Sequence, residues 1–378
     1  MACKRSSVRT RYSPRGVPVK VEKERQLTKK ISPWKIVYPV GIGLAVVSYM
    51  LYREFDPTAF SRVVFTWHSA WWLFVALLCM GVRDLGYIIR IRVLSDGHLS
   101  WWGAVRVIFL WEFTSAVTPS AIGGTSLAIL FVNKEGVKVG RSSAMVMATS
   151  FLDELYFIVM FPLICLCVSQ SRLWDMPGVN GGVTAGLVWV AVAGYSVKLL
   201  YLLVLSYGLF RNPRGLKYLL MKCFRWRLLR KWRHSANEAG SDIVRNSYEL
   251  RRKPLGFWLK TFGATFFSWT ARYWVVNALL VAFWAGRYDW GTHFLVFARQ
   301  LVMWIMMLVS PTPGGSGFAE FVFKEYLGEF LPGAGLAVMM AMLWRLVTYY
   351  PYLLAGVFIV PRWVARSFGA GKDTDIKE

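Results

Sequence analysis

The hydrophobic and polar positions alternate on the scale of whole segments, as long apolar runs separated by short polar ones. Apolar runs at about 35–53, 68–90, 142–169, 183–210, 257–285 and 334–361 each predict a helix long enough to cross roughly 30 Å of hydrocarbon. Such unbroken runs exclude an outer-membrane barrel, whose strands are short and alternate in hydrophobicity. Two further segments read differently. In WWGAVRVIFLWEFTSAVTPSAIGGTSLAILFVNKEG, residues 101–136, an apolar leg at 101–117 is interrupted by TPSAIGG at 118–124. A second leg of roughly ten residues follows, and that much helix spans only about 15 Å. The other segment runs from His293 to Val309, breaks at PTPGGSG, residues 311–317, and continues as a short leg from Phe318 to about Phe330. Proline and glycine are the residues least suited to a helix interior. Each segment therefore predicts a hairpin that enters and leaves the membrane on one side.

Charge decides the topology. The net charge is +24 over 378 residues. Residues 1–30 carry ten Lys/Arg against Glu22 and Glu24, and 211–254 carry 13 against three acids. If each broken segment crossed once, the strongly basic 211–254 loop would lie opposite the basic tail, against the positive-inside rule. If each returns as a hairpin, both termini and the loops near 91–100, 134–141 and 211–254 are cytoplasmic. The weakly charged loops 54–67, 170–182 and 286–292 are then outside. The prediction is an all-α polytopic membrane protein of six transmembrane helices plus two re-entrant hairpins, in the plasma (inner) membrane. Residues 1–32 read as a disordered cytoplasmic tail drawn to anionic lipid, 33–366 as the membrane domain, and 367–378 as a C-terminal tail. RGLKYLLMKCFRWRLLRKW, within 211–254, reads as a basic amphipathic helix on the membrane surface. The charge is not a nucleic-acid signal, since no base-reading motif accompanies it.

The order span, span, hairpin, span occurs twice, at about 35–169 and 183–361, and the copies are inverted. Their breaks align: Thr118-Pro119 precedes Gly123-Gly124 as Pro311-Thr312-Pro313 precedes Gly314-Gly315 and Gly317. Inverted repeats with broken helices are a transporter architecture. A broken helix frees backbone groups that lipid cannot satisfy, so a break belongs in a protein-lined or watery cavity.

Charges at membrane depth each need a partner or a task. Glu112, Asp153, Arg272, Arg299, Glu320 and Arg345 all fall inside predicted spans or hairpins. They read either as neutralised pairs that hold the bundle together or as a polar cavity whose arginines clamp a phosphate. Arg272, Arg299 and Arg345 are the phosphate candidates, with Glu112, Asp153 and Glu320 orienting them or binding a cation. Arg83 and Lys198, nearer helix ends, read as snorkelling side chains. The five cysteines and four histidines have no metal-ligand or disulfide spacing. No cofactor is predicted, and without a Walker A motif no ATP drive is either.

PTPGGSGFAE, residues 311–320, resembles the signature of the lysylphosphatidylglycerol synthase transmembrane region, also called the flippase-like domain family. RIRVLSDGHLSWWGAVRVIFLWEFTSAVTPSAIGG, 90–124, and the position of Asp153 in SFLDELYF resemble it too. Thr125 departs from the family, which often has an acidic residue just after the first double glycine. In bifunctional members such a domain moves aminoacylated phosphatidylglycerol between leaflets while a separate soluble domain makes it. The resemblance implies a stand-alone membrane domain without lysyltransferase activity. It implies a lipid translocase, with membrane lipids bearing anionic headgroups as partners. The alternatives are an intramembrane transferase on lipid-linked substrates and a non-catalytic scaffold for envelope-synthesis enzymes.

Overall fold

A computed structural model describes residues 65–117, 121–174, 181–223, 250–284, 289–307, 317–331 and 334–369, with isolated residues between 237 and 248. The basic tail, the apolar run at 35–53, Thr118, Pro119, Pro311, Pro313, Gly314, Gly315 and the C-terminal tail lie outside these. Among the described residues every regular element is helical. In chain order they are α1 (Trp67–Leu94), α2 (Trp101–Val117), α3 (Ala121–Lys134), α4 (Val139–Cys167), α5 (Gln170–Trp174), α6 (Gly181–Ser206), α7 (Pro213–Cys223), α8 (Leu255–Trp284), α9 (Trp290–Met306), α10 (Phe318–Leu327), α11 (Ala334–Thr348) and α12 (Tyr350–Gly369).

Four helical stretches among the described residues are long and apolar enough to cross a membrane: Trp67–Leu94, Arg141–Cys167, Val188–Arg211 and Gly335–Trp363. The chain is a multi-pass membrane protein. The predicted last span is two helices, α11 and α12, that meet at Tyr349. Pro351 has no backbone N–H to donate to the previous turn, which accounts for the interruption.

α1 and α8 run antiparallel along their length and form the most extensive interface. Arg90, late in α1, meets Thr265 in the first half of α8. Ser268 donates to the Arg83 carbonyl at 2.9 Å. The seam is close because residue 86 is glycine: a Cβ there would overlap the Ser268 hydroxyl and come within 2.7 Å of the Ala264 carbonyl.

α2 and α3 fold back on one another. Arg106, near the start of α2, donates from Nε and one terminal guanidinium nitrogen to the two oxygens of Glu135, just beyond the end of α3, at 2.9 and 2.6 Å. One expectation is corrected here. Gly123-Gly124 does not belong to the break, because α3 already begins at Ala121. A Cβ on Gly124 would overlap Ser115 on the other leg, so its small size serves packing between legs.

The loops sort to two ends. Asp96 takes the left-handed conformation (φ 52°) in the α1–α2 turn. There it accepts from Arg141 at the start of α4 and, at 2.6 Å, from Lys253 before α8. At the opposite end Asn277 of α8 meets His293 of α9 at 2.8 Å. α7 opens on Pro213, with Asn212 capping it through the Gly215 amide at 2.8 Å.

Candidate functional site

α1 presents Arg83, Tyr87 and Arg90 at a spacing of four and three, which stacks them on one helical face. All three are buried. Arg83 is almost fully enclosed, at 1% exposure. Its guanidinium binds Asp84 at 2.7 Å and Glu112 of α2 at 2.6 Å. It lies over the Tyr87 and Tyr352 rings at 4.6 and 5.0 Å. Tyr352, on α12, donates to both oxygens of Asp84 at 2.8 and 2.9 Å. A single network thus joins α1, α2 and α12. Tyr349 adds a bond to the Ala116 carbonyl at 3.1 Å, at the last turn of α2.

Two α1 turns beyond Arg83, Arg90 binds Asp153 of α4 through two nitrogens at 2.5 and 3.3 Å and Thr265 of α8 at 3.1 Å. Trp269 donates its indole N–H to the same Asp153 oxygen at 2.8 Å. Asp153 therefore has three donors converging on it, and its carboxylate is oriented by α1 and α8 together.

Arg272, one turn beyond Trp269, is arranged differently. Its guanidinium lies over the Trp269 and Trp304 rings at 5.5 and 5.6 Å. Among the described residues no carboxylate forms an ion pair with it. It is half-buried. Glu112 lies within its electrostatic reach but is bound to Arg83. The three arginines 83, 90 and 272 and the three carboxylates Asp84, Glu112 and Asp153 balance formally, yet unevenly. Arg83 holds two carboxylates and Arg272 none.

The other predicted site residues lie outside this cluster. Glu320, the third residue of α10, is 1% exposed. One carboxylate oxygen accepts from the Gly317 amide at 2.7 Å and the other from Arg345 Nε at 2.9 Å. Gly317 has φ 82°, a conformation in which a side chain would be strained. The helix start after the PTPGGSG break is thus occupied by the protein's own carboxylate. Arg299 binds the carbonyls of Arg172, at 2.7 and 3.2 Å, and Tyr326, at 3.0 Å, and pairs with Glu329 at 2.8 Å. It ties α9 to α5 and to the end of α10.

Two expectations are corrected. Arg83 and Lys198 do not snorkel: they are 1% and 5% exposed. Lys198 reaches both oxygens of Glu154 at 2.9 and 2.7 Å. Each had a carboxylate to bind inside the bundle, which removes the reason to extend towards water. Sequence reasoning missed Arg90, Tyr87, Tyr352 and Trp269. The signal for Arg90 was its place on the Arg83–Tyr87 face. Among the described residues no three His, Cys, Asp or Glu side chains converge as a metal site.

The fold and the site define a class: a multi-pass, all-helical membrane protein with a charged network buried between its helices. The particular family follows from comparison. The model of the lysylphosphatidylglycerol synthase TM region matches residues 36–356, and the chain belongs to that family. It is also similar to a UPF0104 membrane protein of Archaeoglobus fulgidus, with 28% identity over 303 residues, which cover 76% of this chain and 85% of the relative.

Proposed function

We propose that the protein moves a phosphate-bearing lipid headgroup between leaflets, with Arg272 as the residue that contacts the phosphate. The observation that carries this reading is the guanidinium of Arg272, half-buried between two tryptophans with no carboxylate bound to it. An arginine in apolar surroundings is costly unless it meets an anion. Its planar fork matches two phosphate oxygens, and the exclusion of water strengthens the pair. Arg83 and Arg90, already held by carboxylates, set the electrostatic background and fix the helices around that point.

In this reading α2–α3 and α9–α10 are re-entrant hairpins within an inverted repeat, and six helices cross the plasma membrane with both termini in the cytoplasm. Three observations support the arrangement. Arg106 and Glu135 join the start of α2 to the end of α3. Asp96 gathers the α1–α2 turn, the start of α4 and the approach to α8 at one end. Arg83 precedes the start of α2 by the same interval, 18 residues, as Arg272 precedes the start of α9. The two arginines hold matching places, one neutralised and one open.

The test is leaflet exchange of labelled phospholipid in proteoliposomes. Wild type accelerates exchange. Arg272→Gln loses a charge-assisted contact of about 1.5–3 kcal/mol, which slows exchange by about tenfold to a hundredfold. Arg272→Lys keeps the charge without the fork and falls between them. A folded Arg272→Gln protein that exchanges lipid at the wild-type rate would overturn the proposal.

A further inference from the structure

A second feature lies one to three helical turns from Arg272, towards the end of α8. A cavity of about 380 Å³ opens between the first half of α1, the last half of α8 and the start of α9. That is within the usual range for a small-molecule site. Its walls include Trp72, Trp274 and Trp290, with Asn277, Asp289 and His293 as the polar members. The Trp274, Trp290 and His293 rings form a cluster with centroids 6.3 to 6.4 Å apart. No described lysine or arginine lines it.

Two polar features point to a ligand. Asn277 is 2% exposed and its amide nitrogen has no hydrogen-bond partner among the described residues, although its oxygen meets His293 at 2.8 Å. A buried donor left unmatched costs about 1–3 kcal/mol, so an acceptor on a ligand is worth having there. Asp289 supplies the only carboxylate among the lining residues. Hydrogen bonds from the Thr292 hydroxyl and amide, at 2.6 and 2.8 Å, hold it below the usual carboxylate range. It is therefore ionised at neutral pH.

We infer that this cavity binds a compact organic ammonium group carrying a nearby oxygen, as in an amino alcohol or its ester. Tryptophan faces attract a cation through their quadrupole, most strongly where water is excluded. Asp289 adds opposite charge at the rim, and Asn277 offers its amide to the oxygen. An anion is disfavoured here for the reasons that favour it at Arg272. The site stands independently of the transport reading.

The experiment uses the full chain in nanodiscs of phosphatidylglycerol, with choline chloride as the probe and calorimetry as the readout. Choline binds saturably. Its neutral isostere 3,3-dimethyl-1-butanol binds at least about tenfold more weakly, since it lacks the charge. Trp290→Leu alters a ring that is 80% exposed, so folding is spared. Asp289→Asn retains an oxygen for the α9 cap. Each weakens choline about tenfold. Arg272→Gln leaves choline binding unchanged while slowing exchange, which separates the two proposals. Binding holds at neutral pH and weakens, as in Asp289→Asn, when pH falls through the depressed Asp289 value, below the ordinary aspartate value of about 3.9. Phosphatidylcholine in the nanodisc competes if the group arrives on a lipid and does not compete if it arrives free. Absence of saturable binding, equal binding of the isostere, tighter binding of glucose, or wild-type affinity in both variants would each sink the inference.

Discussion

Glu320 illustrates how one side chain serves two tasks at the residue scale. It caps α10 by accepting from Gly317, and it holds Arg345 inside the bundle. Glu320→Ala removes both contacts and strips a buried arginine of its carboxylate. The expected loss is about 3–5 kcal/mol, the usual cost of breaking a buried pair from one side. It is read as a lowered thermal midpoint in detergent. Glu320→Gln keeps the cap and loses less. An unchanged midpoint for the alanine variant would mean that water already reaches Arg345. Glu320 and Arg345 were both visible in the sequence as charges at membrane depth, but their partnership was not. It depends on how α10 packs against α11, which no local pattern specifies. The same holds for Arg272, which forms no ion pair among the described residues while nearby Glu112 is bound to Arg83.

At the scale of elements, the pairing of α2 with α3 was legible from the interruption at 118–124, although α3 is 14 residues long and so exceeds the short leg the pattern suggested. The role of its glycines was not. A double glycine reads as a place where a helix unwinds, whereas Gly124 lies inside α3 and against Ser115. Close approach between helices leaves no trace in a one-dimensional pattern. Gly86 makes a sharper case, because the atom nearest its missing side chain after Ser268 is a backbone carbonyl that cannot rotate away. Gly86→Ala should destabilise the α1–α8 pair by about 1–3 kcal/mol, as overpacking does. Ser268→Gly in the same chain relieves only part of this, since the Ala264 carbonyl remains. Denaturant unfolding of the single and double variants measures both effects, and full rescue by the double variant would show that Ser268 alone sets the spacing.

For the whole molecule, the positive-inside pattern anticipated which loops share an end, and Asp96 joins three of the cytoplasmic candidates. Labelling a cysteine-free protein at single introduced cysteines tests the orientation. A cysteine at exposed Tyr218 should react with an impermeant reagent only from the cytoplasm, and one at Phe65 only from outside. Reaction at 218 from outside would reverse the orientation. The seam between α1 and α8 has a further consequence. With Gly86 seated against Ser268, and Arg83 and Ser268 bonded across it, these two helices cannot slide without breaking buried contacts. Under the proposed lipid exchange, any cycle that exposes the interior to one leaflet and then the other turns about them. The pair is then an axle, and its amide hydrogens are expected to exchange more slowly than those of α2 and α3.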